Sequence, residues 1–493
     1  MKKIGFVSIV IVMLVALCSC NKTEYQNVIP ANATFVAKVD AKAIAEKGEL
    51  ANSQVIGMLK SYLALVVNGK DLKQAKAYID DPAGMGFDLS LPAYFFMVGN
   101  EHVGLTLKVA DEDAVKDLLS LLHKQQLASK PQKRHDLMCG RLLDEISYSY
   151  NDNTFLLLAS LGEKGGLRVE QMAQQLMLLE EDDSFVSTDA FKRLESEEGK
   201  DVVLYSTLAA LPQGLSKEVA AFLPTTVKLS DIDMVSTLQF SQGKVELNMN
   251  LKGSPMAQTL VFDEMEKNLS GIEGKYLDKV TDQAVLWAGA GVNGAWLLEQ
   301  LKKYSKSKEL LFMLERGIDI EWMLKEVEGA VAIEIRDFGD ASDTKTLDFD
   351  AYAQVKDTPF LVDVEEWKRG MKEYGMTMQD FGKNSYVLKA EGNTIVWGVE
   401  DHNLYFSTQI APSFAKGTAL KDYEQVIQKS MVFVYVDMKK LQLDKVVKKA
   451  GQSWLAQGLG SINALTFSMP SAQQMNLTIE MDDKGENFLK QLF

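Results

Sequence analysis

A repeat runs through this chain, and it constrains the fold more than any single motif, because one architecture must satisfy the same pattern twice. Ile146-Ser-Tyr148-Ser-Tyr150-Asn-Asp152-Asn-Thr-Phe155-Leu-Leu157 aligns with Ile395-Val-Trp397-Gly-Val399-Glu-Asp401-His-Asn-Leu404-Tyr-Phe406 at a constant offset of 249 (395 − 146 and 404 − 155). Each stretch alternates apolar positions around a polar Asp/Asn turn, which predicts a β-hairpin. Upstream, Ala33-Thr-Phe35-Val-Ala-Lys-Val39 and the helical stretch Ala41–Leu50 match Gln283-Ala-Val285-Leu-Trp287-Ala288 and Ala295–Lys303 at about the same offset. Downstream, Val202-Val-Leu-Tyr205 matches Val432-Phe-Val-Tyr435 at 435 − 205 = 230, so the second copy is shorter by 19 residues at this point. A final hairpin aligns Leu238-Gln-Phe240-Ser241 with Leu465-Thr-Phe467-Ser468, and Leu247-Asn-Met249-Asn-Leu251 with Leu477-Thr-Ile479-Glu-Met481.

Between these strands, Val55, Leu59, Leu63 and Val66, and likewise Val169, Met172, Leu176 and Leu179, recur every three to four residues, as amphipathic helices require. The pattern predicts an α+β fold: two tandem homologous lobes, each a largely antiparallel sheet with helices packed on one face. The expected divisions are 1–19 signal peptide, 20–27 lipidated tether, 28–270 first repeat and 271–493 second repeat, with the boundary at the glycines of Leu269-Ser-Gly-Ile-Glu-Gly274. All six tryptophans (Trp287, Trp296, Trp322, Trp367, Trp397, Trp454) fall in the second copy, so the copies have diverged.

The beginning of the chain predicts export. Lys2 and Lys3 precede an apolar run from Ile4 to Leu17, too short to span a bilayer and followed by polar Asn21-Lys22-Thr23-Glu24. Leu17-Cys18-Ser19-Cys20 resembles a lipobox, the recognition site of lipoprotein signal peptidase, which implies lipid on Cys20. Two or more acyl chains are what stable attachment to a membrane takes. Loss of residues 1–19 removes two bases and no acid, leaving 51 − 68 = −17, a balance that disfavours binding to nucleic acid. Of three cysteines Cys139 then stands alone, so no intrachain disulfide is expected and the core must supply the stability.

The lipobox, with Tyr25-Gln-Asn-Val28-Ile29-Pro30-Ala-Asn-Ala-Thr-Phe35-Val-Ala-Lys-Val-Asp40 and Asp81-Pro-Ala-Gly-Met-Gly86-Phe-Asp-Leu-Ser90, resembles a family of Bacteroidota cell-envelope lipoproteins of unknown function. The resemblance covers the whole mature chain and implies an envelope location without a known activity. Asn21, where the enterobacterial sorting pattern for inner-membrane retention has aspartate, implies the outer membrane by the same resemblance. Asn21-Lys-Thr-Glu24-Tyr25 holds a single acid, which leans toward the periplasmic face, since surface-exported relatives carry an acidic cluster there.

Motifs for chemistry are sparse. Gly289-Ala-Gly291-Val-Asn-Gly294 has the GxGxxG spacing of a dinucleotide loop between a strand over Ala284–Ala288 and a helix from Ala295. The strand that should bring an acid about 20 residues later is replaced by a helical stretch, Glu309–Arg316, so the glycines read as a tight joint. The four histidines are His102, His123, His135 and His402; His135 and Cys139 could share a helical face but lack a second pair for metal. Asp337-Phe-Gly-Asp340-Ala-Ser-Asp343 lacks the alternation of a calcium loop and reads as a wet turn. Ser305-Lys-Ser-Lys308 fits SxxK without its companion triplets and reads as a solvated helix end. No cofactor is expected.

Tyr148 and Trp397 occupy equivalent positions and are the leading ligand-binding candidates, as rings on which a sugar could stack; burial in the hairpin is the competing reading. The expected function is a non-catalytic binding or envelope-assembly protein, gripping an envelope protein in the groove between lobes or on a sheet face. Glycan capture on exposed aromatic residues, and hydrolysis by a carboxylate pair, are the alternatives.

Overall fold

The structure, a computed structural model, describes residues 24–492 apart from 68, 100, 163–165, 304–317, 340–346, 391–392, 411–416 and 442–459. These residues form two compact units, each interrupted in sequence. The first takes residues up to Pro212 together with Ile232–Leu251 and Asp483–Phe493; the second takes Gln213–Asp231 and Lys252–Asp482. The expected division, by contrast, was a single cut at 270/271.

In the first unit the strands are β1 (Ala33–Val39), β2 (Ala93–Val98), β3 (His102–Lys108), β4 (Gln132–Arg134), β5 (Leu137–Leu142), β6 (Ile146–Tyr150), β7 (Thr154–Ser160), β8 (Val202–Thr207), β9 (Ile232–Ser241) and β10 (Lys244–Gly253). Antiparallel pairings give the order β9-β8-β1-β2-β3-β7-β6-β5-β4. Strand β10 lies beside β9.

The second unit holds β11 (Leu269–Ser270), β12 (Leu286–Asn293), β13 (Val327–Asp337), β14 (Asp348–Val355), β15 (Thr377–Gly382), β16 (Ser385–Ala390), β17 (Asn393–Glu400), β18 (Asn403–Ser407), β19 (Val432–Asp437), β20 (Ile462–Ser471) and β21 (Gln474–Met481). Their order is β21-β20-β19-β12-β13-β14-β18-β17-β16-β15, again antiparallel, with β11 added to β12. Strand for strand, this is the path of the first unit.

The registers test the sequence alignment residue by residue. Tyr148 faces Leu157 and Trp397 faces Phe406, as the offset of 249 requires. Val36 faces Tyr205 and Trp287 faces Tyr435, in keeping with the match of the two tyrosines. The first strand of the last hairpin departs: Leu238 faces Val202, whereas Met469, not Leu465, faces Val432. The alignment had slipped there by four residues (469 − 465). A slip by an even number keeps every side chain on its face, so alternation alone is blind to it.

In the first unit helices cover both faces, not one. Strand β7 is buried on consecutive residues, Thr154 to Leu158. Phe155 and Leu157 join one core with Leu63, Leu107, Val115, Leu119 and Tyr148, beneath the helices Gln54–Val66 and Glu112–Lys124. Leu156 and Leu158 join another with Tyr25, Val36, Phe96, Val169 and Leu194, beneath Gly166–Met177 and Asp189–Ser196. A strand with apolar residues on both faces belongs in the middle of three layers. The fold also begins earlier than the expected tether allowed: Tyr25 is fully buried and its hydroxyl donates to the Pro92 carbonyl at 2.6 Å.

The interruptions have local causes. The last helix, Phe488–Leu492, places Phe488 against Phe240 of β9 at 6.0 Å between ring centroids, and Gly243 N–H donates to the Glu486 carbonyl at 2.7 Å. Those contacts hold the end of the chain in the first unit. Residues 213–231 enter the second through the Ser254 N–H, which donates to the Asp231 carbonyl at 2.7 Å.

Candidate functional site

The two leading aromatic residues are core residues. Tyr148 has no exposed surface; its ring lies 6.4 Å from that of Phe155, and its hydroxyl donates to the Ser129 carbonyl at 3.1 Å. Trp397 is equally buried, with Tyr386, Trp367 and Phe406 at 4.7, 6.1 and 6.2 Å. Neither ring can be reached by a sugar, so stacking on Tyr148 and Trp397 is ruled out. Burial of both follows from the equivalence that made them candidates: each is the inward residue of the same hairpin.

The GxGxxG stretch is not a loop between strand and helix. Gly289 and Gly291 lie within β12, and the helix starts at Gly294. A Cβ on Gly289 would come 2.5 Å from the Trp287 ring, one on Gly291 2.3 Å from the Ser270 carbonyl oxygen, and one on Gly294 1.9 Å from that of Leu324. The glycines are there because a ring and two backbones approach closely, and no nucleotide loop is formed.

His135 and Cys139 do not share a helix. His135 sits with positive φ in the turn between β4 and β5, while Cys139 is buried in β5 opposite Gln132. Asp337 ends β13 and accepts from the Gly339 N–H at 2.9 Å, with the remainder of that acidic stretch outside the described residues. Cys20 and Ser305–Lys308 also lie outside them. Among the described residues no group of three or more His, Cys, Asp or Glu is arranged to hold a metal.

The chemistry that sequence reasoning missed lies in the middle of the second sheet. Arg336 and Glu334 on β13, with Asp350 on β14, are each buried. Arg336 donates through Nη1 to Asp350 at 2.7 Å, and through Nη2 and Nε to the two oxygens of Asp348 at 2.7 and 3.2 Å. Thr408 Oγ1 adds a donor to Asp348 at 2.7 Å. Glu334 Oε1 accepts from Thr281 N–H at 3.2 Å and from its hydroxyl. Its Oε2 stands 3.8 Å from Arg336 Nη1 and makes no hydrogen bond.

These contacts set the protonation of each group. Burial opposes the charge on Arg336, but the hydrogen bonds it donates to Asp348 and Asp350 outweigh it and raise its pKa. Arg336 holds the Asp348 carboxyl below its ordinary value. Burial pushes Glu334 up, against the opposing Thr281 bonds and Arg336. One guanidinium therefore satisfies two aspartates, and the third carboxyl is the group with capacity to spare.

The first unit shows that the fold does not require this cluster. Val36 faces Phe96 and Trp287 faces Glu334; Phe96 faces Gly104 and Glu334 faces Asp350. Where the second unit buries two carboxylates, the first has a fully buried phenyl ring lying over a glycine. The clue was present in the sequence: Glu334 and Arg336 continue the two-residue spacing of Ala330 and Ala332, so the alternation puts charges on a core face.

Small cavities accompany these sheets. One of about 270 Å³ in the first unit is lined by His123, Gln126, Leu127, Ala128, Ser129, Leu143 and Asp144. Another, of about 310 Å³ in the second, is lined by Leu277, Val280, Thr418, Leu420, Lys421 and Glu424 beside Gly417. No helix among the described residues is long and apolar enough to cross a membrane.

Comparison with known proteins adds a family but no activity. A family model described as a domain of unknown function (DUF4836) matches residues 25–449. No curated protein matches. Two solved structures of TP0453 share little with the chain: crystal form III has 11% identity and a TM-score of 0.29, covering 49% of this chain and 87% of that one. Crystal form I has 12% identity and a TM-score of 0.28, covering 48% and 80%.

Proposed function

The chain belongs to the DUF4836 family, a domain of unknown function, and from that premise we propose that it is a lipid-anchored cell-envelope protein that binds a partner rather than transforming a substrate. The observation that carries the location is the segment from Lys2 to Cys20: two bases, a short apolar run, and a cysteine in lipobox context. Tyr25 supports it, because burial of that residue, in a helical turn that begins at Glu24, leaves three residues, 21–23, between the acyl chains and the fold. Fully extended, such a link reaches about 14 Å from Cys20 to Glu24, which would keep the body close to its membrane. We read the lobes as two copies of one ancestral unit, on their common strand order and on the offset of 249 in the hairpins.

A binding role is favoured by the way these carboxylates are used. Asp348 and Asp350 are occupied by one guanidinium, an arrangement that neutralises charge, whereas a hydrolytic pair would face an open cleft with room for water. The membrane, reached through the lipid, is the first partner, and an envelope protein is the second. We place the chain on the outer membrane, periplasmic face.

Radiolabelled palmitate fed to cells producing the full chain tests the anchor. Label is expected on the wild type and absent from Cys20→Ala; label that survives the substitution overturns it. Protease added to intact cells, with a periplasmic control for a sealed outer membrane, tests the side. Protection is expected, and rapid digestion refutes the periplasmic reading.

A further inference from the structure

Helix Gly166–Met177 turns a stripe of open leucines away from the first sheet. Its Val169, Ala173 and Leu176 are buried in the core that also holds Tyr25. On the opposite side Leu167, Gln171, Gln175 and Leu178 are exposed, the two leucines at 67% each. Leu178 stands 178 − 167 = 11 residues on, three turns plus about 20°, so both leucines point the same way. Among the exposed residues of the helix only Arg168 is charged. The helix Glu112–Lys124, by contrast, exposes Glu112, Asp113, Lys116 and Asp117, as a solvated helix does. The leucine-bearing helix also belongs to the first copy in particular. The 19 residues by which the second copy is shorter fall between β7 and β8, and the matching stretch, 408–431, holds no helix of 12 residues among the described ones.

The tether decides what meets this stripe. The turn Glu24–Val28, at which the tether ends, packs beside the helix in one layer against the sheet. Met58 and Leu65 are also open, but their helix, Gln54–Val66, buries Leu59 and Leu63 in the core on the other face of the sheet. Roughly 20 Å of sheet and helix separates that outer surface from the turn, more than a link of about 14 Å can pass. We propose that the first unit rests on the membrane through the layer that carries the turn, with Leu167 and Leu178 among the lipid chains; the inference rests on the lipid anchor at Cys20. Two leucines hold a free protein weakly, but on so short a link the encounter is intramolecular and a weak contact suffices. Glu180, Glu181, Asp182 and Asp183, all exposed, follow the stripe. The contact is therefore apolar, and the headgroups that suit it are zwitterionic, since anionic ones would meet those acids.

The test uses the chain from residue 20 onward, joined through the Cys20 thiol to a maleimide-bearing lipid in vesicles of phosphatidylethanolamine and phosphatidylcholine. Its outcome is then independent of acylation in the cell, and buried Cys139 does not compete for the lipid. Hydroxyl-radical footprinting reads how open each side chain is. The reference is the same chain capped at Cys20 with N-ethylmaleimide and mixed with the same vesicles. Tethering is expected to slow oxidation of Leu167 and Leu178 about five-fold or more, and to leave Met58 and Leu65 unchanged. Adding phosphatidylglycerol is expected to weaken that protection. Equal oxidation of Leu167 and Leu178 in the tethered and capped chains overturns the proposal. Slowing that falls on Met58 and Leu65 alike overturns it as well. The expected footprint, found for a chain that takes up no palmitate in cells, would support this face and refute the anchor alone.

Discussion

Arg336 carries the electrostatics of the second unit, because it is the one cation among three carboxyl groups. Arg336→Met would leave Glu334 and Asp350 buried, and Asp348 half-buried, without it. Loss of one member of a buried pair costs about 3–5 kcal/mol, and urea unfolding should show that loss. Arg336→Lys should rescue only part of it, since one ammonium cannot reproduce the fork that Asp348 and Asp350 share. Glu334 behaves in the opposite sense. Its carboxyl is raised by burial, so the folded state holds its proton more tightly than the unfolded chain does. Stability from this group is therefore full below the unfolded-chain value near pH 4.3 and is lost as pH rises through the raised folded value. Asp348, lowered by Arg336, contributes in the other direction: its share is present above its unfolded value and is lost as pH falls through the folded one. Glu334→Gln removes the first dependence and keeps an acceptor for Thr281. The variant should be more stable than the wild type at neutral pH and no more stable in acid. Unfolding midpoints at pH 4, 5.5 and 7 check this, and parallel curves for the two proteins would refute it.

At the scale of elements, β12 is held by what its glycines leave out. Gly291→Ala would drive a methyl group into the Ser270 backbone, and Gly289→Ala into the Trp287 ring. Each is expected to cost about 1–3 kcal/mol, as overpacking does, and to be seen as an earlier urea transition. Stability, and not nucleotide affinity, is the property expected to change. The hairpins were legible in the sequence because alternation and an Asp/Asn turn are local signals. The two-sided burial of β7 was legible in Phe155-Leu-Leu-Leu158 as well, although the expectation placed helices on one face alone. The four-residue slip in β20 was not legible, since it leaves each residue on its face.

The molecule as a whole is two units that a single cut cannot separate. A fragment ending near 270 would lack Phe488 and the Glu486 carbonyl, which hold β9 and the turn after it. Truncation at Asp482 should therefore destabilise the first unit, and Phe488→Ala alone should cost about 3 kcal/mol or more, measurable by urea unfolding. Sequence by itself determined the antiparallel hairpins and the apolar stripes of the helices, because each is written in nearby residues. Tertiary structure decided which residues of those patterns face inward and where the chain's end is placed. It took Tyr148 and Trp397 out of reach, put the GxGxxG glycines against backbone and ring, and gathered Glu334, Arg336, Asp348 and Asp350 from two strands into one cluster. Such pairings depend on register and on packing between distant segments, and neither has a local signature for a single sequence to carry.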